Sequence, residues 1–207
     1  ADQPERTLIL TNNGIFSYAD VQRQSRRLAS GLIACGLELG GHVALDMANF
    51  PEFTLVKFAI ARAGAICVPV NFLLRSRELS YVLGQSDSSI LITMDAFRGH
   101  DYLADLATLR GDLPQLKQIF TLRTGETCSS QLPTLDELCA MATPESDAEL
   151  VRREAQADGT GLSDIIYTSG TTGRSKGVLL THDMVLRAAY SSAFTRAFED
   201  GRRIQFA

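Results

Sequence analysis

Short apolar runs rich in valine and isoleucine alternate along the chain with longer segments whose apolar residues recur at the helical period. This alternation is typical of βαβ units around a parallel sheet. It predicts strands at 42–47, 65–70, 89–93, 118–122 and 164–168, and helices at 17–35, 53–63, 76–83 and 102–109. We therefore predict an α/β fold with a doubly wound, mostly parallel sheet flanked by helices.

Two of these helices carry clear start signals. Ser17 can cap the first helix while Asp20, three residues later, returns the contact, which is the capping-box arrangement. Asn49 and Pro51 precede the second helix, and proline favours a first helical position. That second helix is apolar on nearly every face, so we expect it to be buried.

The last third of the chain changes character. Positions 124–161 are rich in Thr, Ser, Pro and acidic residues around one short predicted helix at 135–141, which indicates a surface excursion. A short apolar segment at 178–180 follows the strand at 164–168, so the loop between them joins two strands. A final helix opens at Thr181 and carries an apolar stripe, which predicts core packing against a partner. The stripe consists of Leu186, Ala189, Tyr190, Ala193, Phe194, Ala197 and Phe198.

Composition narrows the class of protein. The 207 residues are 45% hydrophobic and 21% charged, as in ordinary globular proteins. Twenty basic and twenty-four acidic side chains give a net charge of −4, which disfavours nucleic acid or an anionic membrane as partner. The first ten residues carry charges, and no later stretch is apolar enough to span a membrane. We expect a cytoplasmic protein with no transmembrane segment.

Metal-binding and disulfide chemistry are disfavoured by spacing. The four cysteines form no Cys-x-x-Cys pair, and the three histidines are far apart in the sequence. We therefore predict no protein metal site.

The segment between the last two predicted strands is the one suited to chemistry. Glycines let a backbone approach an anion closely, hydroxyl groups add donors, and a lysine adds positive charge. The predicted phosphate-binding residues are Thr168, Ser169, Gly170, Thr171, Thr172, Gly173 and Lys176. The spacing is not that of a Walker A loop, and no Gly-x-Gly-x-x-Gly occurs. By composition alone, such a loop is more often a flexible connector than a ligand site.

The stretch from Tyr167 to Val178 resembles the signature of the adenylate-forming superfamily, Tyr-Thr-Ser-Gly-Thr-Thr-Gly-x-Pro-Lys-Gly-Val. Every specified position matches except Ser175, which stands where the pattern has proline and so predicts a less rigid loop. Upstream residues resemble the opening half of acyl-CoA synthetases. They include Gly31, Leu32, Gly36, Asn49, Glu52, Phe53, Gly64, Val68, Pro69, Val70 and Asn71.

The resemblance implies that residues 1–207 are the amino-terminal portion of an AMP-binding (adenylation) domain, without the C-terminal domain. In the full-length protein it implies attack of a carboxylate, such as that of a fatty acid, on ATP. The resulting acyl-adenylate would then react with coenzyme A. The loop would close over the β- and γ-phosphates with Mg²⁺, and no catalytic nucleophile falls within this chain. Arg174 is expected to be a solvated side chain.

Two further expectations follow from the resemblance. The 207-residue chain alone should be inactive, and it should form a homo-oligomer through surface that the rest of the large domain would cover, including the stripe from Leu186 to Phe198 and a sheet edge. Two alternatives stay open: an adenylation domain that loads a carrier protein, and a truncated, non-catalytic binding or assembly module.

Overall fold

A computed structural model describes residues 3–12, 14–125, 131–168, 174–199 and 201–205. Its strands are β1 (Thr7–Thr11), β2 (Gly14–Ser17), β3 (His42–Asp46), β4 (Ile66–Val70), β5 (Ile90–Met94), β6 (Ala96–Phe97), β7 (His100–Asp101), β8 (Gln118–Leu122), β9 (Leu162–Thr168) and β10 (Lys176–Thr181). Its α-helices are α1 (Tyr18–Ala34), α2 (Pro51–Arg62), α3 (Ser76–Gln85), α4 (Tyr102–Leu109), α5 (Leu135–Ala140), α6 (Pro144–Gln156) and α7 (His182–Thr195).

Six strands form the central sheet, in the spatial order β10-β9-β4-β3-β5-β8. All neighbours pair in parallel except β9 and β10, which form an antiparallel hairpin at one edge. Two further hairpins, β1 with β2 and β6 with β7, lie outside this sheet. The predicted mostly parallel α/β sheet is confirmed.

Apolar side chains fill both faces of the sheet, which is why the fold is doubly wound. One core joins residues of α1, α2, α5 and α6 to alternate side chains of the strands, such as Val43, Leu45 and Phe120. The other core joins α3 and α4 to the intervening positions, such as Ala44 and Leu91. The period of two along each strand thus sends successive residues into opposite cores.

Local signals place several helix starts. The Asp20 amide donates to Ser17 Oγ at 3.1 Å, and the Ser17 amide donates to Asp20 Oδ2 at 2.9 Å, so the predicted capping box is confirmed. Pro51 begins α2, where its missing N–H costs nothing. The prediction that α2 is buried on nearly every face is wrong in part, because Phe58 is 47% exposed.

The excursion predicted at 124–161 is only partly a surface loop. A helix absent from the prediction, α6, begins after Thr143 and buries Leu150 against the core that contains α1 and α2. Its sequence offers few large apolar residues, so its helical period was weak, although Thr143 and Ser146 form a capping box. Residues 126–130 of this excursion lie outside the described residues.

The apolar stripe of α7 does not pack in a core within the described residues, contrary to the prediction. No residue of α7 is buried, and Tyr190 and Phe194 are 74% and 76% exposed. Their rings stack on each other with centroids 6.3 Å apart. Val178 and Leu179 of the edge strand β10 are exposed as well.

Candidate functional site

The β9–β10 hairpin places the two ends of the predicted phosphate loop opposite each other. Lys176 pairs with Thr168 in the register of the two strands, and both residues are exposed. The remaining predicted residues, Ser169, Gly170, Thr171, Thr172 and Gly173, lie outside the described residues. The structure therefore places Thr168 and Lys176 opposite each other at the carboxyl end of β9. Both side chains are hydrogen-bond donors suited to an anion.

A glycine permits close packing next to this pair. Gly177 lies opposite Tyr167 in the hairpin, and a Cβ added to it would lie 2.8 Å from Ile165 Cγ2. A larger residue at this position would therefore require the Ile165 side chain to shift. Gly177 thus allows the buried Ile165 side chain to pack closely against β10.

Helix α3 contacts β9 and the residue that precedes β10, near the two ends of the loop. The Tyr81 hydroxyl donates to the Ser175 carbonyl oxygen at 3.0 Å, and the Tyr167 hydroxyl donates to Gln85 Oε1. Burial raises the pKa of Tyr167, so its hydroxyl keeps its proton at neutral pH. The exposed Arg174 guanidinium lies 5.7 Å from the centre of the Tyr81 ring. The expected solvated Arg174 thus also makes a cation–π contact.

An ion pair that the sequence analysis did not identify holds the start of β9. Asp164, whose side chain is 4% exposed, pairs with Lys57 Nζ of α2 and accepts a hydrogen bond from Ser163 Oγ at 2.7 Å. Asp164 also lies opposite Cys67 where β9 joins β4. Lys57 and Asp164 are 107 positions apart, so no sequence spacing could have paired them.

A second buried acid lies at the carboxyl end of β3. Asp46 is 2% exposed, and within the described residues its Oδ1 has no hydrogen-bond partner. The pKa of Asp46 is raised to about 7, chiefly by burial and to a smaller extent by the charge of Asp105. The Arg75 charge and a hydrogen bond with Thr93 lower it, and they offset only part of that rise. An acidic residue ending an otherwise apolar strand was the available sequence signal.

A groove of about 230 Å³ lies at the amino ends of the parallel strands, beside the first residues of β3, β5 and β8. His42, Ile90 and Gln118 contribute to its lining. Ligands of open α/β sheets bind beyond the carboxyl ends of the strands, so we assign this groove no part in the candidate site.

Magnesium has no protein cage in the part of the chain that the structure describes. No group of three His, Cys, Asp or Glu side chains there could hold a metal ion. Mg²⁺ usually keeps several waters and is held largely by substrate phosphates.

Among the residues that the structure describes, no helix is both long and apolar enough to cross a membrane.

Comparison with known proteins identifies the family to which the chain belongs. The AMP-binding enzyme family matches residues 1–206. The chain belongs to this family. Its relatives include YngI of Bacillus subtilis (strain 168), an acyl-CoA synthetase by name, with 34% identity over 92% of this chain and 37% of YngI. The crotonobetaine/carnitine–CoA ligase of Salmonella arizonae is 30% identical over 89% of this chain and 34% of that ligase. The chain thus spans about a third of the length of these relatives.

A solved structure agrees with the family assignment. ATP-bound MatB from Rhodopseudomonas palustris matches with a TM-score of 0.75 and 27% identity, over 96% of this chain and 36% of MatB. The fold of this AMP-binding family member is therefore that of adenylate-forming enzymes. By name, YngI is an acyl-CoA synthetase and the Salmonella arizonae relative is a CoA ligase.

Proposed function

We propose that this chain is the amino-terminal portion of an AMP-binding domain and that it supplies the phosphate-binding loop of an acyl-CoA ligase. The proposal rests on the family match over residues 1–206. It also rests on the β9–β10 hairpin, in which Thr168 and Lys176 pair at the two ends of the loop. The full protein activates a carboxylic acid with ATP and passes the acyl group to coenzyme A. ATP-bound MatB among the structural neighbours supports the choice of nucleotide.

The chemistry of the first step explains the residue types. The substrate carboxylate attacks the α-phosphorus of ATP, the bond from that phosphorus to the bridging oxygen breaks, and pyrophosphate leaves with the electron pair. Negative charge therefore grows on the β-phosphate. Donors placed around it, including the Lys176 ammonium and the hydroxyls of Thr168, Ser169, Thr171 and Thr172, stabilise that charge. Mg²⁺ enters as part of the MgATP substrate and neutralises phosphate charge.

The class of acid is the finer part of the proposal. A fatty acid is our choice, and the medium-chain fatty-acid–CoA ligase of Escherichia coli supports it with 28% identity over 95% of this chain. None of the residues assigned above is proposed to contact the acyl chain of the substrate. The predicted cytoplasmic location, the homo-oligomer and the inactivity of the 207-residue chain alone stay predictions.

Pyrophosphate exchange tests the proposal. A longer protein that carries this chain is incubated with ATP, labelled pyrophosphate and one acid from a panel of fatty, aryl and betaine acids. We expect label to enter ATP only when the accepted acid is present, and CoA to convert that acid to a thioester. Exchange followed by transfer only to a carrier protein would instead favour the carrier-loading alternative. Absence of acid-dependent exchange across the panel would contradict the proposed function.

A further inference from the structure

Tyr81 of α3 contacts the chain beside Lys176 at a point 94 residues away in sequence. Its hydroxyl donates to the Ser175 carbonyl at 3.0 Å, and its ring faces the Arg174 guanidinium. Both residues immediately precede Lys176, the first residue of β10. One side chain therefore holds two consecutive residues next to the lysine.

A restraint on the backbone conformation at Ser175 matters because the family pattern has proline at this position. A serine backbone has a free φ angle, whereas the proline ring fixes φ. Without proline, ordering the segment around a bound phosphate costs conformational entropy, which lowers affinity. A hydrogen bond from an anchored helix reduces the number of conformations that the free segment visits.

Helix α3 is itself held in place by packing against the core. Its Leu79, Val82 and Leu83 are buried in the core between the sheet and α4. Tyr81 lies between the buried Leu79 and Val82, and Gln85 of the same helix accepts from Tyr167 on β9. The helix therefore contacts β9 and the residue that precedes β10, next to the two ends of the loop.

We propose that Tyr81 is a positioning residue, whose hydrogen bond to Ser175 fixes the backbone that presents Lys176 to the phosphates of the nucleotide. This inference rests on the proposed function, since it presupposes that Lys176 binds phosphate. Tyr81 need not touch the substrate. Its contribution is to preorganise the segment, so that less ordering remains to be done when the phosphates bind.

The test uses the 207-residue chain with magnesium tripolyphosphate as the probe, titrated to millimolar concentrations and followed by NMR chemical shifts. Tyr81→Phe removes only the hydroxyl and keeps the ring under Arg174. Because a single hydrogen bond changes an equilibrium by about two- to tenfold, we expect the Kd to rise within that range. Tyr190→Phe, on the exposed face of α7, is the matched control and should leave the Kd unchanged.

Two further measurements separate positioning from general loss of structure. Hydrogen exchange of the amides at 175–177 should accelerate in Tyr81→Phe by about the same two- to tenfold factor, while the β3 and β4 amides stay protected. Adding Ser175→Pro to Tyr81→Phe should restore the affinity, because the ring replaces the lost restraint. Restoration would not follow if Tyr81 merely stabilised the fold.

The outcomes distinguish this inference from the proposed function. Probe binding that is lost in Lys176→Ala but unchanged in Tyr81→Phe, with unchanged exchange at 175–177, would overturn the positioning role alone. Probe binding that is absent, or unaffected by Lys176→Ala, would overturn the phosphate site and the positioning role with it. Weaker binding in Tyr81→Phe with rescue by Ser175→Pro supports both.

Discussion

The buried carboxyl group of Asp46 should make the stability of the fold depend on pH. Burial raises its pKa to about 7 from an ordinary value near 3.8, so the folded state holds this proton more tightly than the unfolded chain. The contribution of this bound proton to the unfolding free energy is therefore complete below about pH 4 and is lost as the pH rises through about 7. The difference between the two values corresponds to roughly 4 kcal/mol of unfolding free energy.

Asp46→Asn removes the ionisation and nearly preserves the shape of the side chain. At pH 8 the variant should be more stable than the wild type by roughly 1–4 kcal/mol, since the amide carries no charge to bury. At pH 5 this advantage should shrink or reverse, because the wild-type carboxyl is then protonated and neutral. Urea unfolding of the 207-residue chain at both values measures the difference.

The exposed Asp112 provides the matched control for this experiment. Asp112→Asn should change the unfolding free energy by less than about 0.5 kcal/mol at either pH. A stability difference between Asp46→Asn and the wild type that is the same at pH 5 and pH 8 would refute the reasoning. It would show that Asp46 is ionised, or solvated, in the folded state.

Two other predictions concern packing and association. Leu150→Ala should lower the unfolding free energy by about 2–5 kcal/mol, because Leu150 of α6 is buried in the core. The adjacent and exposed Val151 is the control, and Val151→Ala should have little effect. Equal losses of the two variants in urea unfolding would show that α6 is not packed on the core. Leu186→Ser on α7 should reduce the self-association that sedimentation velocity measures. Leu73 is similarly exposed, and Leu73→Ser should leave self-association unchanged. Identical sedimentation of the two variants would exclude α7 as the associating surface.

The parallel sheet could be predicted because its signals are local. Strands such as β3 and β5 are short apolar runs between polar turns, and Ser17 and Asp20 mark the start of α1 within four residues. Helix α6 was missed because Leu150 is its only buried large apolar residue, which leaves little periodicity to detect. The other contacts of α6 are polar and long-range, such as those of Arg153 with the Leu37 and Ala63 carbonyls, and no hydrophobic period reveals them.

The parts of the candidate site that depend on long-range contacts could not be predicted. The phosphate role of the loop comes from the resemblance of its residues to a family signature, and it stays a prediction, since the structure describes only the two ends of the loop, Thr168 and Lys176. In contrast, the contact of Tyr81 with Ser175 joins residues that no spacing rule relates. The stripe on α7 was predicted from its period, yet periodicity states only that a face is apolar and not what covers it.

The central claim is that Lys176 stabilises the charge that develops when pyrophosphate leaves ATP. The most direct test is acid-dependent pyrophosphate exchange by a longer protein that carries this chain, with Lys176→Ala compared with Lys117→Ala at the opposite edge of the sheet. Loss of one charged donor should cost about 2–4 kcal/mol in the transition state, which slows exchange by about 30- to 1000-fold. Lys117→Ala should retain the wild-type rate. An unchanged rate in folded Lys176→Ala would contradict the phosphate role of the loop.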